Sequence, residues 1–492
     1  MKISKFEIAN FRSYKEATII PGSKVNVVVG ENNVGKSNLL AAIQFLKSLG
    51  GVGREDWPDG KANGPLALSL ECALRDQDIE VIAYELEVSV EEFKKSFGES
   101  LAIKIIGHHP NRSPEVSVEF GTLQIFADNT FGIHPADLRV GYQSIDWREV
   151  VSLSRKSSKL LVQVAGEVIG QRKRQNPGVE VRMGIGKSMY DAVGRIFRES
   201  LFLFPEFRQR PQRAAAEVLS SPEGSQVAAV LFNLKNGTKE ERKKFEKIQE
   251  YFSSLFPTLK LNVTKQGPTI VIEKTQTGHE VPLEFIGAGI AQMIIMLTHI
   301  VGSEGRVFLV DGPELHLHPH SQRLLQKVFE ESTANNQLLV ITHSPQFVNL
   351  QEPDSILLIR EVLGRSHVIR LSNGYLSEEE KNRLSRIVRS EDKEFLFSRR
   401  VLLVEGETEY GAIPIFAQKL NTSLDEHGVS LVSVGGSHFG LFLKILRGFE
   451  FPYRVMCDRD VLMKIADKIK VESVEFKTSL LFQAIWKSRF TE

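Results

Sequence analysis

Only two cysteines, Cys72 and Cys457, occur in 492 residues. They cannot form a disulfide framework, they lack the spacing of a zinc site, and their scarcity suits a reducing, cytoplasmic setting. Long apolar runs are missing too. The longest, residues 286–301, contains Gln292, Thr298 and His299 and is too short to span a bilayer, so no membrane partner is expected. The opening MKISKFEIANFRSY alternates charged and apolar residues and has no signal-peptide core. Charge of one sign is also absent: 62 Lys and Arg stand against 61 Asp and Glu, so a nucleic-acid surface would have to come from local clustering. No fixed-period repeat or low-complexity tract interrupts the chain. The length exceeds that of one ordinary core, and two to four domains are expected.

What is present is concentrated in a few short runs. GENNVGKS at residues 30–37 has the form of a phosphate loop. Its glycines, Gly30 and Gly35, allow successive backbone N–H groups around Asn32 and Asn33 to turn inward on an anion. Lys36 would bridge the terminal phosphates of ATP, and the Ser37 hydroxyl would bind Mg²⁺. A β-branched run at 25–29 predicts a buried parallel strand before the loop, and apolar positions at 39, 40, 43, 45 and 46 predict a helix after it.

Further along, VFLVD at 307–311 predicts an apolar strand delivering Asp311 to Mg²⁺, with Glu314 three residues on. The histidines His316, His318 and His320 also raise the alternative of a metal site. LLVITHS at 338–344 predicts another such strand, placing His343 to sense a γ-phosphate. Between the loop and these strands, the glycine-rich FIGAGIAQ at 285–292 opens a helix whose N-terminus could receive an anion.

A second cluster begins at VLLVEGETE, residues 401–409, where a predicted strand ends at Glu405 and Glu409 lies four residues on. A second predicted strand, 453–457, ends at Asp458 and Asp460. Hard carboxylate oxygens at adjacent strand ends suit Mg²⁺ or Mn²⁺ and could support phosphodiester cleavage. Asp458 and Asp460 fall on one face of an extended segment, with Arg459 opposite.

Taken in order, GENNVGKS, GAGIAQ, VFLVDGPELHLHP and VITHSP, after the opening IANFRSY, resemble an ABC-type ATPase related to RecF and SMC proteins. In that resemblance Gly287, Gly289 and Gln292 stand for the signature motif and His343 for the switch histidine, and two heads sandwich two ATP molecules. The later carboxylates, with Val434-Gly435-Gly436 between their strands, resemble a TOPRIM domain. The combination is similar to the overcoming-lysogenisation-defect (OLD) family of ATP-dependent nucleases. The resemblance implies an α/β fold: an ABC-type P-loop ATPase with a helical insertion, followed by a C-terminal α/β TOPRIM domain. Its parts are expected at 1–150 and 257–372 (the two ATPase lobes), 151–256 (mainly helical insertion), 373–399 (helical linker) and 400–492 (TOPRIM). It also implies Glu405, Glu409, Asp458 and Asp460 as metal-binding positions, with Glu405, Asp458 and Asp460 catalytic. DNA is the implied substrate, and a homodimer or higher homo-oligomer the implied assembly, with a protein or RNA regulator possible and a role in antiphage defence or DNA maintenance.

Two departures stand against the family pattern. An acidic residue usually follows the strand carboxylate, and here it is Gly312, which can neither accept a proton nor orient water. Slow hydrolysis is the expectation. The chain after Asp460 is also short, and Glu472, Glu475, Lys468 and Lys477 do not align with the family's later ligands. The alternative function is therefore a non-cleaving ATP-dependent nucleic-acid clamp or sensor acting with a partner; topoisomerase or primase chemistry lacks an accompanying domain. Basic runs at 172–174 and 208–210 are candidate phosphate contacts.

Overall fold

The computed structural model describes residues 1–48, 54–58, 64–85, 89–108, 115–120, 123–128, 137–139, 187–204, 227–264, 269–436, 438–458 and 461. The chain forms two compact units, Met1–Lys381 and Asn382–Glu492.

The first unit contains an antiparallel sheet and a mostly parallel one. The antiparallel sheet has the order β2-β1-β4-β5-β6-β7-β8. Its strands are β1 (Lys2–Phe11), β2 (Tyr14–Ile19), β4 (Leu66–Ala73), β5 (Ser100–Gly107), β6 (Glu115–Phe120), β7 (Leu123–Asp128) and β8 (Asp137–Arg139). Alternate residues of β4 and β5 are buried, as expected for a sheet with one face on the core.

The second sheet has the order β16-β15-β3-β14-β13-β9. It joins β3 (Asn26–Val29), β9 (Leu201–Phe204), β13 (Val307–Asp311), β14 (Gln337–Ile341), β15 (Ile356–Val362) and β16 (Arg365–Arg370). All pairings are parallel except the β15–β16 hairpin. Every residue of β3 and β14 is buried, which explains their continuous apolar character: both faces are covered. Successive side chains of β13 enter different cores. Val307 and Leu309 join the cluster containing Leu39, Ile43 and Leu46 of the helix Lys36–Ser48 together with β1, β4 and β5. Phe308 and Val310 join the cluster formed with the helices Lys239–Leu255, Ala288–Gly302 and Pro319–Ser332. A small antiparallel sheet, β10 (Leu259–Val263), β11 (Ile270–Lys274) and β12 (Glu280–Pro282), adds to this second cluster.

β9 lies within the segment expected to be mainly helical, flanked by the helices Lys187–Ser200 and Val227–Asn236. Its LFLF sequence docks in parallel on β13. The charged stretch expected as a helical linker contains the helix Glu378–Ile387 and the short 3-10 helix Glu391–Phe397, and the division between units falls inside the former.

In the second unit, β17 (Arg400–Val404) lies between β18 (Val429–Ser433) and β19 (Tyr453–Met456), all parallel. The helix Phe439–Gly448 buries Phe439, Phe442, Ile445 and Leu446. No helix among the described residues is long and apolar enough to cross a membrane.

Candidate nucleotide and carboxylate sites

In open parallel sheets, ligands bind beyond the carboxyl ends of the strands. Three of the expected motifs meet there because β3, β14 and β13 are consecutive neighbours. The loop after β3 turns through positive φ at Gly30, Asn33 and Gly35 and leads into the helix Lys36–Ser48. Asn32, Asn33 and Ser37 are exposed, whereas Lys36 is buried. The Lys36 ammonium donates to the carbonyls of Gly30, at 2.8 Å, and Glu31. Burial lowers its pKa to about 8, against the opposing pull of Asp311, Glu31 and Glu314. A desolvated cation at a helix N-terminus, after a turn through three positive-φ residues, fits a polyphosphate, whose charge would offset that burial.

The loop is braced by residues that sequence reasoning did not single out. Tyr14 Oη donates to the Gly35 carbonyl at 3.0 Å, and Asn38 Nδ2 donates to Ser13 Oγ at 2.8 Å. From β16, the buried Ser366 donates its hydroxyl to the Val34 carbonyl at 2.5 Å, while its N–H donates to the Ser13 carbonyl at 2.9 Å. Gly35 is pressed between these groups: a Cβ there would lie 2.3 Å from Ser366 Oγ and 2.6 Å from Ser13 Oγ. The Arg12 backbone N–H donates to the Asp56 carbonyl at 2.7 Å, and its guanidinium pairs with the buried Asp56 carboxylate at 3.0 Å, fixing the turn that carries Ser13. The motif IANFRSY was the available signal for Ser13 and Tyr14. Ser366, 332 residues from Val34, had none.

Asp311 closes β13 and is half-buried. Gly312 follows with a φ of 61°, and its N–H donates to the Ile341 carbonyl at 2.9 Å. Glu314 reaches the end of β14, accepting from Thr342 Oγ1 and from the His343 backbone N–H, each at 2.7 Å. The His343 side chain is exposed. The glycine-rich segment enters the helix Ala288–Gly302 with Gly287 at its N-cap. Gly289 faces His316, and Gln292 lines a small cavity with Asp311, Gly312 and Pro313. His316, His318 and His320 are exposed, and the last two rings stack at 5.4 Å. Among the described residues no three carboxylate, imidazole or thiol groups gather closely enough to hold a metal by themselves, here or in the second unit.

In the second unit the register pairs Val404 with Ser433 and with Met456, so Glu405 and Asp458 emerge at neighbouring strand ends. Glu405 Oε2 accepts the Asp458 backbone N–H at 2.9 Å, and the Glu405 carbonyl accepts from Gly436 N–H at 2.9 Å. Glu405 is half-buried and Asp458 exposed. Glu409 turns back, accepting the Gly406 N–H at 3.1 Å and satisfying an orphan donor at the start of the helix Glu407–Lys419. The donor set is hard oxygen, which fits a divalent cation of the Mg²⁺ or Mn²⁺ type. Asp460, Arg459 and the C-terminal candidates at 468, 472, 475 and 477 lie outside the described residues, as do the basic runs at 172–174 and 208–210.

Comparison with known proteins matches an AAA ATPase domain over residues 1–161 and 208–348. An overcoming lysogenization defect protein-like TOPRIM domain matches residues 396–460. The uncharacterized protein MJ1542 of Methanocaldococcus jannaschii is 25% identical over 262 residues, 51% of this chain and 32% of that protein. The OLD nuclease of Thermus scotoductus is 28% identical over 198 residues, 37% of this chain and 36% of its own. The chain thus spans about a third of the length of these two relatives. Endonuclease GajA of Bacillus cereus is 23% identical over 485 residues, covering 95% of this chain and 76% of that protein. An ATPase domain and a TOPRIM domain imply use of a nucleotide and of a divalent metal. The ATPase match covers more than half of the sequence and includes the phosphate loop, Asp311 and His343, and the chain belongs to this AAA ATPase domain family, with an OLD-like TOPRIM domain after the ATPase unit.

Proposed function

We propose that this protein is an ATP-regulated, divalent-metal-dependent DNA endonuclease of the OLD type, acting in antiphage defence or DNA maintenance. The observation that carries the reading is the contact between Glu405 and Asp458 at adjacent strand ends, in a chain that also bears a braced phosphate loop. The names of its relatives, an OLD nuclease and an endonuclease, support the same chemistry.

In this reading Gly30, Asn32, Asn33, Gly35 and Lys36 hold the phosphates of ATP, and Ser37 and Asp311 hold its Mg²⁺. Gly287, Gly289 and Gln292 close over the nucleotide of a second copy. Among the described residues, an atom added at Gly287 would meet no neighbour within 4 Å, which leaves that helix start open to such an approach. Glu405, Asp458, Asp460 and Glu409 hold Mg²⁺ or Mn²⁺. The ion, when bound, supplies charge neutralisation for the pentacovalent phosphorus. Glu405 takes a proton from the attacking water as its oxygen bonds to phosphorus and the ester P–O bond breaks, the departing oxygen taking a proton from solvent. The Asp458 N–H bond holds the Glu405 carboxylate in place for that transfer.

Supercoiled-plasmid nicking in Mg²⁺ and in Mn²⁺ tests the proposal. Cleavage is expected in at least one metal, with a loss of about a hundredfold or more in Asp458→Ala. A second reading, an ATP-dependent DNA clamp, is favoured by one observation: Gly312 stands at the position of the usual water-activating acid. ATP-dependent DNA binding with no cleavage in either metal would replace the nuclease with the clamp.

A further inference from the structure

Gly312 leaves the end of β13 without its usual second acid, and Glu314 is the carboxylate next along the chain. Its surroundings give it a different task. One oxygen accepts from the Thr342 hydroxyl and the other from the His343 backbone N–H, both at 2.7 Å. Thr342 is fully buried, and its hydroxyl oxygen accepts in turn from Ser344 N–H at 2.9 Å. Ser344 Oγ donates to Gln322 Oε1 at 2.6 Å, and Gln322 Nε2 returns to the Leu317 carbonyl at 2.9 Å. The loop at 342–344 is therefore tied at two points to the segment after β13. That segment also carries His316, held at a φ of 62° against Gly289. One connected set of contacts runs from the His343 loop to the start of the helix Ala288–Gly302.

We propose that Glu314 is a positioning residue that holds the Thr342–Ser344 loop so that His343 distinguishes ATP from ADP, and that it is not the base of hydrolysis. The proposal rests on reading the loop at 30–37 as the nucleotide site. Each carboxylate oxygen accepts a bond from the protein, and the groups they hold lie at the end of β14, the strand between the phosphate loop's strand and that of Asp311. Loss of the carboxylate leaves the buried Thr342 hydroxyl without its acceptor and releases the His343 N–H to solvent, and the loop loses its tether on that side.

Equilibrium binding of Mg·ATP and Mg·ADP to the full chain tests this. Glu314→Ala is expected to cut the preference for ATP over ADP by about tenfold while leaving ADP affinity near its starting value, the loss of roughly one charge-assisted hydrogen bond. Glu314→Gln keeps the shape and the acceptor for His343 N–H. Its amide donates to the spare lone pair of the Thr342 hydroxyl, whose own proton gives up its carboxylate partner, so the tether survives in part and the loss is smaller than in Glu314→Ala. Its preference stays within about twofold of the unmodified protein's. An unchanged preference in Glu314→Ala, or an equal loss in Glu314→Gln, overturns the proposal. So does a Glu314→Gln protein that binds normally yet loses ATP turnover, since that marks a base. Lys36→Ala reports separately on the site: unaltered binding of both nucleotides there removes the nucleotide reading itself.

Discussion

Lys36 illustrates how much a single side chain carries. Its place in the motif was legible, because a lysine after a glycine turn and before a helix has few other uses. Its burial was not, since that is set by the fold, which also brings Asp311 and Glu314 into its electrostatic surroundings. Burial has a consequence for pH. The ordinary value of 10.5 falls to about 8 in the folded protein, so the empty site holds an ammonium below pH 8 and mostly a neutral amine above it. Between about 8 and 10.5 the unfolded chain binds more protons than the folded one, and this lysine's cost to the stability of the empty protein fades as pH rises. Phosphate favours the charged form, so nucleotide binding at pH 9 should take up a proton. Affinity should weaken by up to about tenfold per unit above pH 8. Calorimetry in two buffers of different ionisation heat reads the uptake directly; heats independent of buffer at pH 9 would contradict the assignment. Gly312 makes the complementary point. The sequence exposes the missing acid, whereas only the structure reveals a left-handed backbone, in which a replacement side chain other than Asn or Asp costs about 1–2 kcal/mol.

At the scale of elements, the fully buried strands were readable because apolar runs such as VFLV and LLVI have few alternatives, and their boundaries shift by only a residue or two. The hairpin β15–β16 carries no comparable signal. Its turn places Leu363 at a φ of 52° beside Gly364, without the Asn-Gly or Asp-Gly pair that usually marks a two-residue turn. β9 was hidden by the helices on either side of it. The hairpin matters at the site, because it supplies Ser366 and the Ile359 carbonyl, which a Cβ at Gly30 would approach to 2.2 Å. The phosphate loop is thus shaped from behind by an element whose sequence carries no nucleotide motif. Ser366→Ala removes the donor to the buried Val34 carbonyl and is expected to destabilise the fold by about 1 kcal/mol and weaken ATP binding several-fold. Thermal melting and nucleotide titration on the same preparation check both numbers. A variant that melts lower but binds ATP unchanged would make the serine a fold contact and not a brace of the loop.

For the whole molecule, the order of the motifs announced two kinds of chemistry in one chain, and the contacts divide it accordingly at 381/382. The sequence reading sets Glu405 and Asp458 at adjacent strand ends, and β17 and β19 do pair directly. That adjacency is a property of chain crossing, and it sets the Asp458 N–H on the Glu405 carboxylate. Each site has its own sheet, so in the proposed nuclease damage at one should leave the other's binding intact while breaking the coupling between them. Lys36→Ala is the clean case, because the lysine makes its contacts inside the loop and lies far in sequence from either TOPRIM carboxylate. In the proposed nuclease this variant should retain basal, metal-dependent plasmid nicking while losing its response to ATP, and Asp458→Ala should bind ATP normally while losing nicking. Gly312 sharpens the expectation: if nucleotide occupancy and not turnover sets the active state, a non-hydrolysable ATP analogue should act on the unmodified protein as ATP does. A time course of nicking with ATP, the analogue or no nucleotide decides it. Stimulation by ATP alone would make hydrolysis the driver despite the missing acid, and equal rates in all three would leave the two sites without functional coupling.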